Sequence, residues 1–350
     1  LAIAPIEVLR TPGGLDNVFR TLQTLPGVSG TDELGSRLAV RGGSPDQNLT
    51  VMDGVEIHDP YRLFGLTSAF NPETIRRFDL DTGGFSVSHG DRLSSLLTIE
   101  NRDGSTQKAI TTSAALSVTD ANVVTEGRLP GNDKGSWLVS ARRTYYDLVA
   151  SRVTDSDFPR FADVQAKVRY DLAPGRSLSF FGLRSRQAAL LKLDDRSARG
   201  EFQDDTRNDL ASVRLDQTIG SSAQAHTIVA YSNSASTFGA NAALETKSQR
   251  SNAPGDDVYG TANLVFNRTV AGRDLSVRQE TAWSLGQHLV EAGGEMRRFA
   301  TELRFTILGD RNPVAVNGSS VQGGAGLPDQ LASLRTCLLY TSDAADEGLG

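Results

Sequence analysis

The chain has 350 residues, 38% of them hydrophobic, with a formal charge of -6, enough apolar content for a large core and for one to three domains. Its pI near 5.4 excludes the clustered basic surface of a nucleic-acid binder, and a single cysteine, Cys337, excludes an intrachain disulfide and a cysteine-based zinc site. No run approaches the ~18 apolar residues of a membrane helix, a test that strands of a membrane barrel escape because they alternate.

In chain order, "GLDNVFRTLQTL" sets Leu15, Val18, Phe19, Leu22 and Leu25 at helical spacing and stops at Pro26-Gly27, which predicts an amphipathic helix over 14–25. Arg37 to Arg41 reads as a strand. A Gly/Pro turn follows, then a hairpin from Leu49 to Ile57 with Asp53-Gly54 at its tip. The Gly42-Gly43 pair is no phosphate loop, since Ser44-Pro45 follows and proline removes an amide donor. His58 has no second histidine or cysteine at ligand spacing, so it reads as a surface or network histidine. In "NPETIRRF", Asn71 as N-cap and Pro72 at the first helical position predict a short helix through Phe78. Turns at Gly83-Gly84 and His89-Gly90-Asp91 lead into a strand from about Ser94 to Asn101. Residues 1–105 thus read as a small mixed α/β domain.

Beyond Gly104 the pattern becomes period two. Ile110, Thr112, Ala114, Leu116 and Val118 share one face. Val164, Ala166, Val168, Tyr170 and Leu172 oppose Gln165, Lys167, Arg169 and Asp171, and Ala211, Val213, Leu215 and Ile219 oppose Ser212, Arg214, Asp216 and Thr218. Weaker alternation covers 137–148, 178–190, 226–238, 261–270, 275–285 and 289–305. Short connectors ("LPGNDKG", "LAPGRS", "IGSSA") alternate with long polar ones at about 151–160, 192–207 and 239–257, the habit of an up-and-down outer-membrane barrel with polar residues toward a wet lumen. A soluble antiparallel sheet with one solvated face gives the same alternation, but over shorter strands.

The segments "NVFRTLQTLPGV", "LAVRGGSPDQNLTVMDGVEIHDPYRLFGLTSAFNPETIRRFDL", "GGFSVSHGDRLSSLLTIENRDG" and "SWLVSARRTYYDLV" occur in the order of a plug domain and the first barrel strands. With them the chain resembles a TonB-dependent outer-membrane receptor. The resemblance implies a mainly β protein: a plug over 1–105, followed over 106–335 by the first strands of a transmembrane antiparallel β-barrel of about 22 strands. It implies uptake of a scarce nutrient, a ferric siderophore, cobalamin or a glycan. The implied partners are that small ligand, outer-membrane lipid and a TonB-type energy-coupling protein of the inner membrane; no cofactor and no nucleic acid are implied.

On the same resemblance, Arg41, Gly42, Gly43, Asp53, Gly54, Tyr61 and Arg62 are ligand-binding or plug-gating candidates, with Arg41 and Asp53 as interior charges that tie plug to wall. The resemblance implies an energy-coupling box ahead of the plug, and so ahead of Leu1. Nine or ten strand candidates lie between Lys108 and Phe305, and "TCLLYTSDAADEGLG", from Thr336, does not alternate. Residues 336–350 therefore read as a non-native tail and the chain as an internal fragment. Other classes stay open: a secreted β-rich hydrolase using Asp194, Asp195, Asp204, Asp205, Asp256 or Asp257, acidic loops that gather cations, or a signalling or adhesion receptor of the same fold. No Gly-x-Ser-x-Gly elbow or His-Glu-x-x-His motif is present.

Overall fold

A computed structural model describes residues 2–11, 17–30, 36–62, 67–86, 88–90, 92–117, 120–131, 134–145, 147, 159–194, 198–248, 258–308, 313–316, 319–322 and 330–348. The opening domain contains β1 (Ala2–Ile3), α1 (Pro5–Arg10), α2 (Val18–Leu22), β2 (Val28–Gly30), β3 (Leu38–Val40), β4 (Asn48–Met52), β5 (Val55–Glu56), β6 (Tyr61–Arg62), β7 (Thr67–Ser68), β8 (Ile75–Asp81) and β9 (Ser95–Asn101). Five of these strands form one sheet in the order β1-β8-β9-β4-β5, with β4 parallel to β9. One cluster that includes Val8, Phe19, Leu22, Val40, Met52, Phe70, Phe78 and Ile99 packs the helices onto this sheet. Each such large apolar side chain contributes about 1.5–3 kcal/mol when taken out of water.

Two local expectations change. The helix predicted over 14–25 spans only Val18–Leu22, because the Asn17 side chain accepts the Phe19 amide at 3.0 Å and caps it; residues 12–16 lie outside the described residues. The helix predicted from Pro72 to Phe78 is a single 3₁₀ turn, Pro72–Thr74, capped by Asn71 and followed by a strand. Its i, i+3 spacing of Ile75 and Phe78 comes from a register shift between Ile75 and Arg77, a bulge that puts both side chains on the core face. The Asp53-Gly54 turn is as expected: φ of 48° and 85° give the left-handed pair that a tight hairpin requires.

The second part is a single antiparallel sheet of β10 (Thr111–Leu116), β11 (Asp120–Arg128), β12 (Gly135–Thr144), β13 (Arg160–Ala173), β14 (Arg176–Asp194), β15 (Ala198–Ile219), β16 (Ala223–Ser248), β17 (Val258–Leu285) and β18 (His288–Leu308), paired in that order. β19 (Pro313–Val316) and β20 (Ser319–Gln322) pair with each other, and β21 (Gln330–Gly348) pairs with β18. The backbone of β21 thus runs through Thr336, where the alternation stops. β11 was not expected, because Asn122 and Thr125 interrupt its apolar pattern. The two candidates over 261–285 are one strand, since Ala271-Gly272-Arg273 pairs continuously with Ser234 and its neighbours. The expected loops at 192–207 and 239–257 are partly strand, with Asp194 opposite Arg199 and Ser248 opposite Val258.

Register explains the two faces. Trp137, Val168, Phe180, Val213, Val229, Val277 and Met296 are successive partners across seven strands, and their alternation places them all on the outer face. That row is an apolar belt. It gives way along β14 to Arg184 and Arg186, whose exposed guanidiniums pair with Asp209 at 2.7 Å and Asp205 at 2.8 Å. The inner face is not uniformly polar. Phe181, Leu183, Leu210, Ile228 and Ala230 point inward and join the core of the opening domain, because a lumen filled by protein needs apolar partners where water would need polar ones.

If the belt faces lipid, a cysteine at Val168 reacts with a lipid-soluble thiol reagent only, and one at Lys167 with neither reagent until the plug is loosened. Labelling of Val168→Cys from water in the folded, inserted protein would exclude the bilayer reading. Val168→Arg should cost about 2–4 kcal/mol in membrane-inserted stability.

Candidate functional site

The opening domain meets the inner face of the sheet at three walls, each with its own chemistry. At the first, Arg142 on β12 donates through Nε to Asp163 Oδ2 on β13 at 2.8 Å, and through Nη1 and Nη2 to the carbonyls of Phe70 and Ser68 at 3.1 and 3.0 Å. Both charged residues are 3% exposed, and the guanidinium also lies 5.0 Å from the Phe161 ring centre. Beside them Asn71 and Asn122 exchange amide hydrogen bonds at 2.9 and 3.2 Å. A buried pair of this kind is costly to break from one side, since the survivor is left charged and unpaired.

At the second wall, Asp53 at the hairpin tip accepts from the Asn101 backbone amide at 2.9 Å and its side-chain amide at 3.0 Å. Asn101 in turn accepts from Gln165 at 2.9 Å and Lys167 at 2.7 Å, both on β13. The Lys167 ammonium stands 3.0 Å from Asp103 and 3.6 Å from Asp53. Gly54, next to Asp53, sits so close to β16 that a Cβ there would lie 2.4 Å from Ile228 Cδ1.

The third wall joins Glu56 and His58 to Asp274 on β17 and Arg297 on β18. Arg297 donates to Glu56 Oε2 and to Asp274 Oδ2, each at 2.6 Å. His58 has Nδ1 3.3 Å from Glu56 Oε1, and Nε2 both 3.5 Å from Asp274 Oδ2 and 3.1 Å from Arg297 Nη2. Arg92 reaches Glu56 from the plug side at 3.1 Å, and Phe299 lies under the imidazole with ring centres 5.7 Å apart. Burial works against the charge on both plug residues, but the facing groups outweigh it. Hydrogen bonds to Asp274 and Glu56 raise His58 to about 9, and His58 and Arg297 lower Glu56 to about 2. Protonated, His58 has an N–H for each of the two carboxylates; neutral, it keeps one N–H and can donate to only one of them, its other nitrogen being an acceptor.

Of the sequence candidates, Asp53 and Gly54 lie at the second wall. Arg41 (φ 49°) and Gly42 (φ 79°) form the turn after β3, where Arg41 is exposed and extends beside Gly83. Gly43 packs where a Cβ would lie 2.4 Å from Ser94 Oγ. Tyr61 accepts the Leu38 amide at 3.2 Å and packs its ring, tilted by 43°, against Phe19, and Arg62, 2% exposed, donates to the carbonyls of Asp59 and Tyr61. Sequence reasoning missed Glu56, Asn71, Asn101, Arg142, Asp163, Asp274 and Arg297. Alternation marks the barrel residues among them as inward-facing, but nothing local names a partner 241 residues away, as for Glu56 and Arg297. The acidic pair Asp204 and Asp205 is divided by the pleat: Asp204 accepts from Gln187 on the inner face and Asp205 pairs with Arg186 on the outer. Asp195, Asp256 and Asp257 lie outside the described residues. Among the described residues no group of three or more His, Cys, Asp or Glu could hold a metal ion.

A long-stranded antiparallel sheet with an apolar outer belt, its inner face tied to a separate α/β domain, is the arrangement of a plug against the strands of an outer-membrane barrel. The family profile "TonB-dependent Receptor Plug Domain" matches residues 3–94. No curated protein matches the chain. Among solved structures, the outer membrane transporter YddB from Escherichia coli is similar with a TM-score of 0.60 at 10% identity, over 99% of this chain and 54% of that one. BauA, the ferric preacinetobactin receptor from Acinetobacter baumannii, gives 0.55 at 9% identity, over 92% and 51%. The ferric-catecholate import receptor Fiu from E. coli K12 gives 0.52 at 10% identity, over 97% and 65%. This chain therefore spans between 51% and 65% of the length of those three. Residues 3–94 belong to the TonB-dependent receptor plug family, and the chain has the fold of the plug and adjoining barrel strands of a TonB-dependent outer-membrane receptor. Its place is the outer membrane.

Two outcomes follow from the walls. The folded-state value of His58 lies above its ordinary 6.5, so its charge stabilises the third wall fully below about pH 6.5, and this is lost as pH rises through about 9. Resistance of the plug to urea should fall by on the order of 1–2 kcal/mol over that window after solvent screening, and His58→Gln should flatten the curve; an equal slope in the variant would exclude the assignment. At the first wall, Arg142→Met should destabilise by about 3–5 kcal/mol by stranding Asp163, and the double change with Asp163→Leu should regain most of it in thermal unfolding.

Proposed function

We propose that the chain is the gated part of a receptor that imports a scarce nutrient through the outer membrane, with no catalytic step of its own. The observation that carries this reading is the set of three polar walls. They hold a separable domain inside the sheet by interactions that can be broken and remade, which is what a gate requires and a structural filler does not. The nutrient class is a ferric siderophore in the first instance, in keeping with the ferric ligands in the names of BauA and Fiu. Cobalamin and glycans are the other members of the class. Energy reaches the plug from a TonB-type protein of the inner membrane, pulling through β1, which is held to the plug sheet by only two residue pairs, Ala2 with Asp79 and Ile3 with Phe78. Asp53 and Gly54 act in gating at the second wall, and Arg41 to Gly43 with Tyr61 and Arg62 shape the plug loops that bear ligand contacts.

The test is complementation. The complete receptor carrying this sequence, expressed in a strain stripped of its own receptors, should restore growth on at least one of a panel of ferric siderophores, cobalamin and oligosaccharides. Growth should vanish when the energy-coupling protein is deleted. Growth that persists without that protein, or binding of the nutrient with no uptake, would favour a passive pore or a signalling receptor instead.

A further inference from the structure

The outward rows of the sheet change character along the strands. Through Trp137, Val168, Phe180 and Val213 the outer face is apolar, and one row nearer the short turns it continues with Tyr170, Leu178 and Leu215. In the other direction arginines take over. Six residues along β13 from Val168, the outward row runs Arg143, Ala162, Arg186 and Arg207 across four neighbouring strands, with Arg184 in the outward row below it and Arg160 in the one above. That length of tilted strand rises roughly 15 Å along the membrane normal, just past the half-height of an apolar band about 25 Å tall. These guanidiniums therefore stand at headgroup level. Because the short β13–β14 turn between Ala173 and Arg176 lies at the opposite end of the strand and short turns face the periplasm, the leaflet is the outer one.

Two features of the patch call for an anion. Arg186 and Arg207 are direct cross-strand partners, a position in which like charges repel. The carboxylates Asp147, Asp205 and Asp209 pair with Arg143, Arg184, Arg186 and Arg207 but not with Arg160, so the cluster keeps a surplus of two positive charges. Arg160 is exposed, and no carboxylate among the described residues pairs with it. The paired arginines spend only part of their N–H donors on those carboxylates. The second feature is a recess of ≈ 150 Å³ walled by Arg143, Arg160 and Arg186, its lining completed by Phe161, Ala162 and Ala188. Alanine at the two outward positions is what leaves the space open. A guanidinium fork matches the oxygens of a phosphate in pairs, and a phosphomonoester brings about -1.5 to -2 charges near neutral pH, which is the charge this patch lacks.

We propose that the recess is a lipid site: it seats a phosphate of the phosphorylated glycolipid that forms the outer leaflet, held by Arg143, Arg160 and Arg186, with the acyl chains lying down the belt over Val164, Ala166 and Val168. The bound phosphate also relieves the repulsion between Arg186 and Arg207. The site lies outside the lumen and does not depend on the importer reading.

The experiment uses the complete receptor carrying this sequence, refolded in a zwitterionic detergent and titrated with lipid A in bisphosphoryl and dephosphorylated forms, with bound lipid counted by native mass spectrometry. The parent receptor should bind the bisphosphoryl form at least tenfold more tightly; equal affinity for the two overturns the proposal. Arg160→Gln/Arg186→Gln should remove the preference, whereas Arg273→Gln/Arg304→Gln on β17 and β18 should leave it within about twofold. Should the first pair prevent folding, Ala162→Trp fills the recess with every arginine in place and should also remove the preference; its retention overturns the site. Equal loss in the β17–β18 pair, or phosphatidylglycerol bound as tightly as bisphosphoryl lipid A, would reveal a general anionic belt and overturn it too. Displacement of the lipid by millimolar inorganic phosphate would assign the recess to a free anion and defeat the lipid reading.

Discussion

Every strand of the larger sheet has to satisfy two solvents at once. From β11 to β18 the backbone groups are spent on a neighbour at each side, as a bilayer demands, so the side chains alone distinguish lipid from lumen, and they do so residue by residue. The row from Trp137 to Met296 is the consequence on one face. The inner row at the next position, which includes Leu138, Lys167, Phe181, Ser212, Ala230, Ser276 and Arg297, is the consequence on the other. Its mixture of types follows the plug and not water: Phe181 meets an apolar core, Lys167 meets the Asn101 carbonyl, and Arg297 meets two carboxylates.

The plug obeys the complementary constraint. A domain of about this size with so many turns buries a modest share of its surface by itself, and Phe19, Phe70 and Phe78 pack in the same cluster as residues from β14 to β16. Its exposed backbone and turn polar groups are likewise completed from outside. The carbonyls of Ser68 and Phe70 receive Arg142, and the carbonyl of Asn101 receives Lys167. Gly54 is glycine for two reasons that coincide, a left-handed backbone and the nearness of Ile228. The turn chemistry of the plug is therefore interface chemistry as well.

Charge is distributed unevenly around this interface, fully desolvated in one pair and half-buried in another cluster. Arg142 and Asp163 are desolvated and already committed to each other, so their bond resists exchange with water. His58 stands between two carboxylates and an arginine in a half-buried site, where a single proton decides whether it can donate to both carboxylates or to one.

Much of this was legible in one dimension. Period-two alternation over Asp163 to Leu172 and over Ala211 to Ile219 determined which residues face lipid, because the side-chain period of a strand is a local property of its backbone. The Asp53-Gly54 hairpin was equally local. The helix read from Pro72 to Phe78 became a strand because a bulge reproduces helical spacing between Ile75 and Phe78, a choice made by pairing with β9. β11 was passed over because its inward Asn122 has a polar partner, Asn71, that only the assembled plug supplies. The pairing of Glu56 with Arg297 could not be read at all: sequence records that each is charged, while three-dimensional packing alone brings an early plug hairpin against the eighteenth strand and sets how far water reaches between them. Composition and periodicity determined the solvents of this protein; tertiary structure decided which charges meet, since hydrogen bonds between distant residues depend on distance in space and carry no signature along the chain.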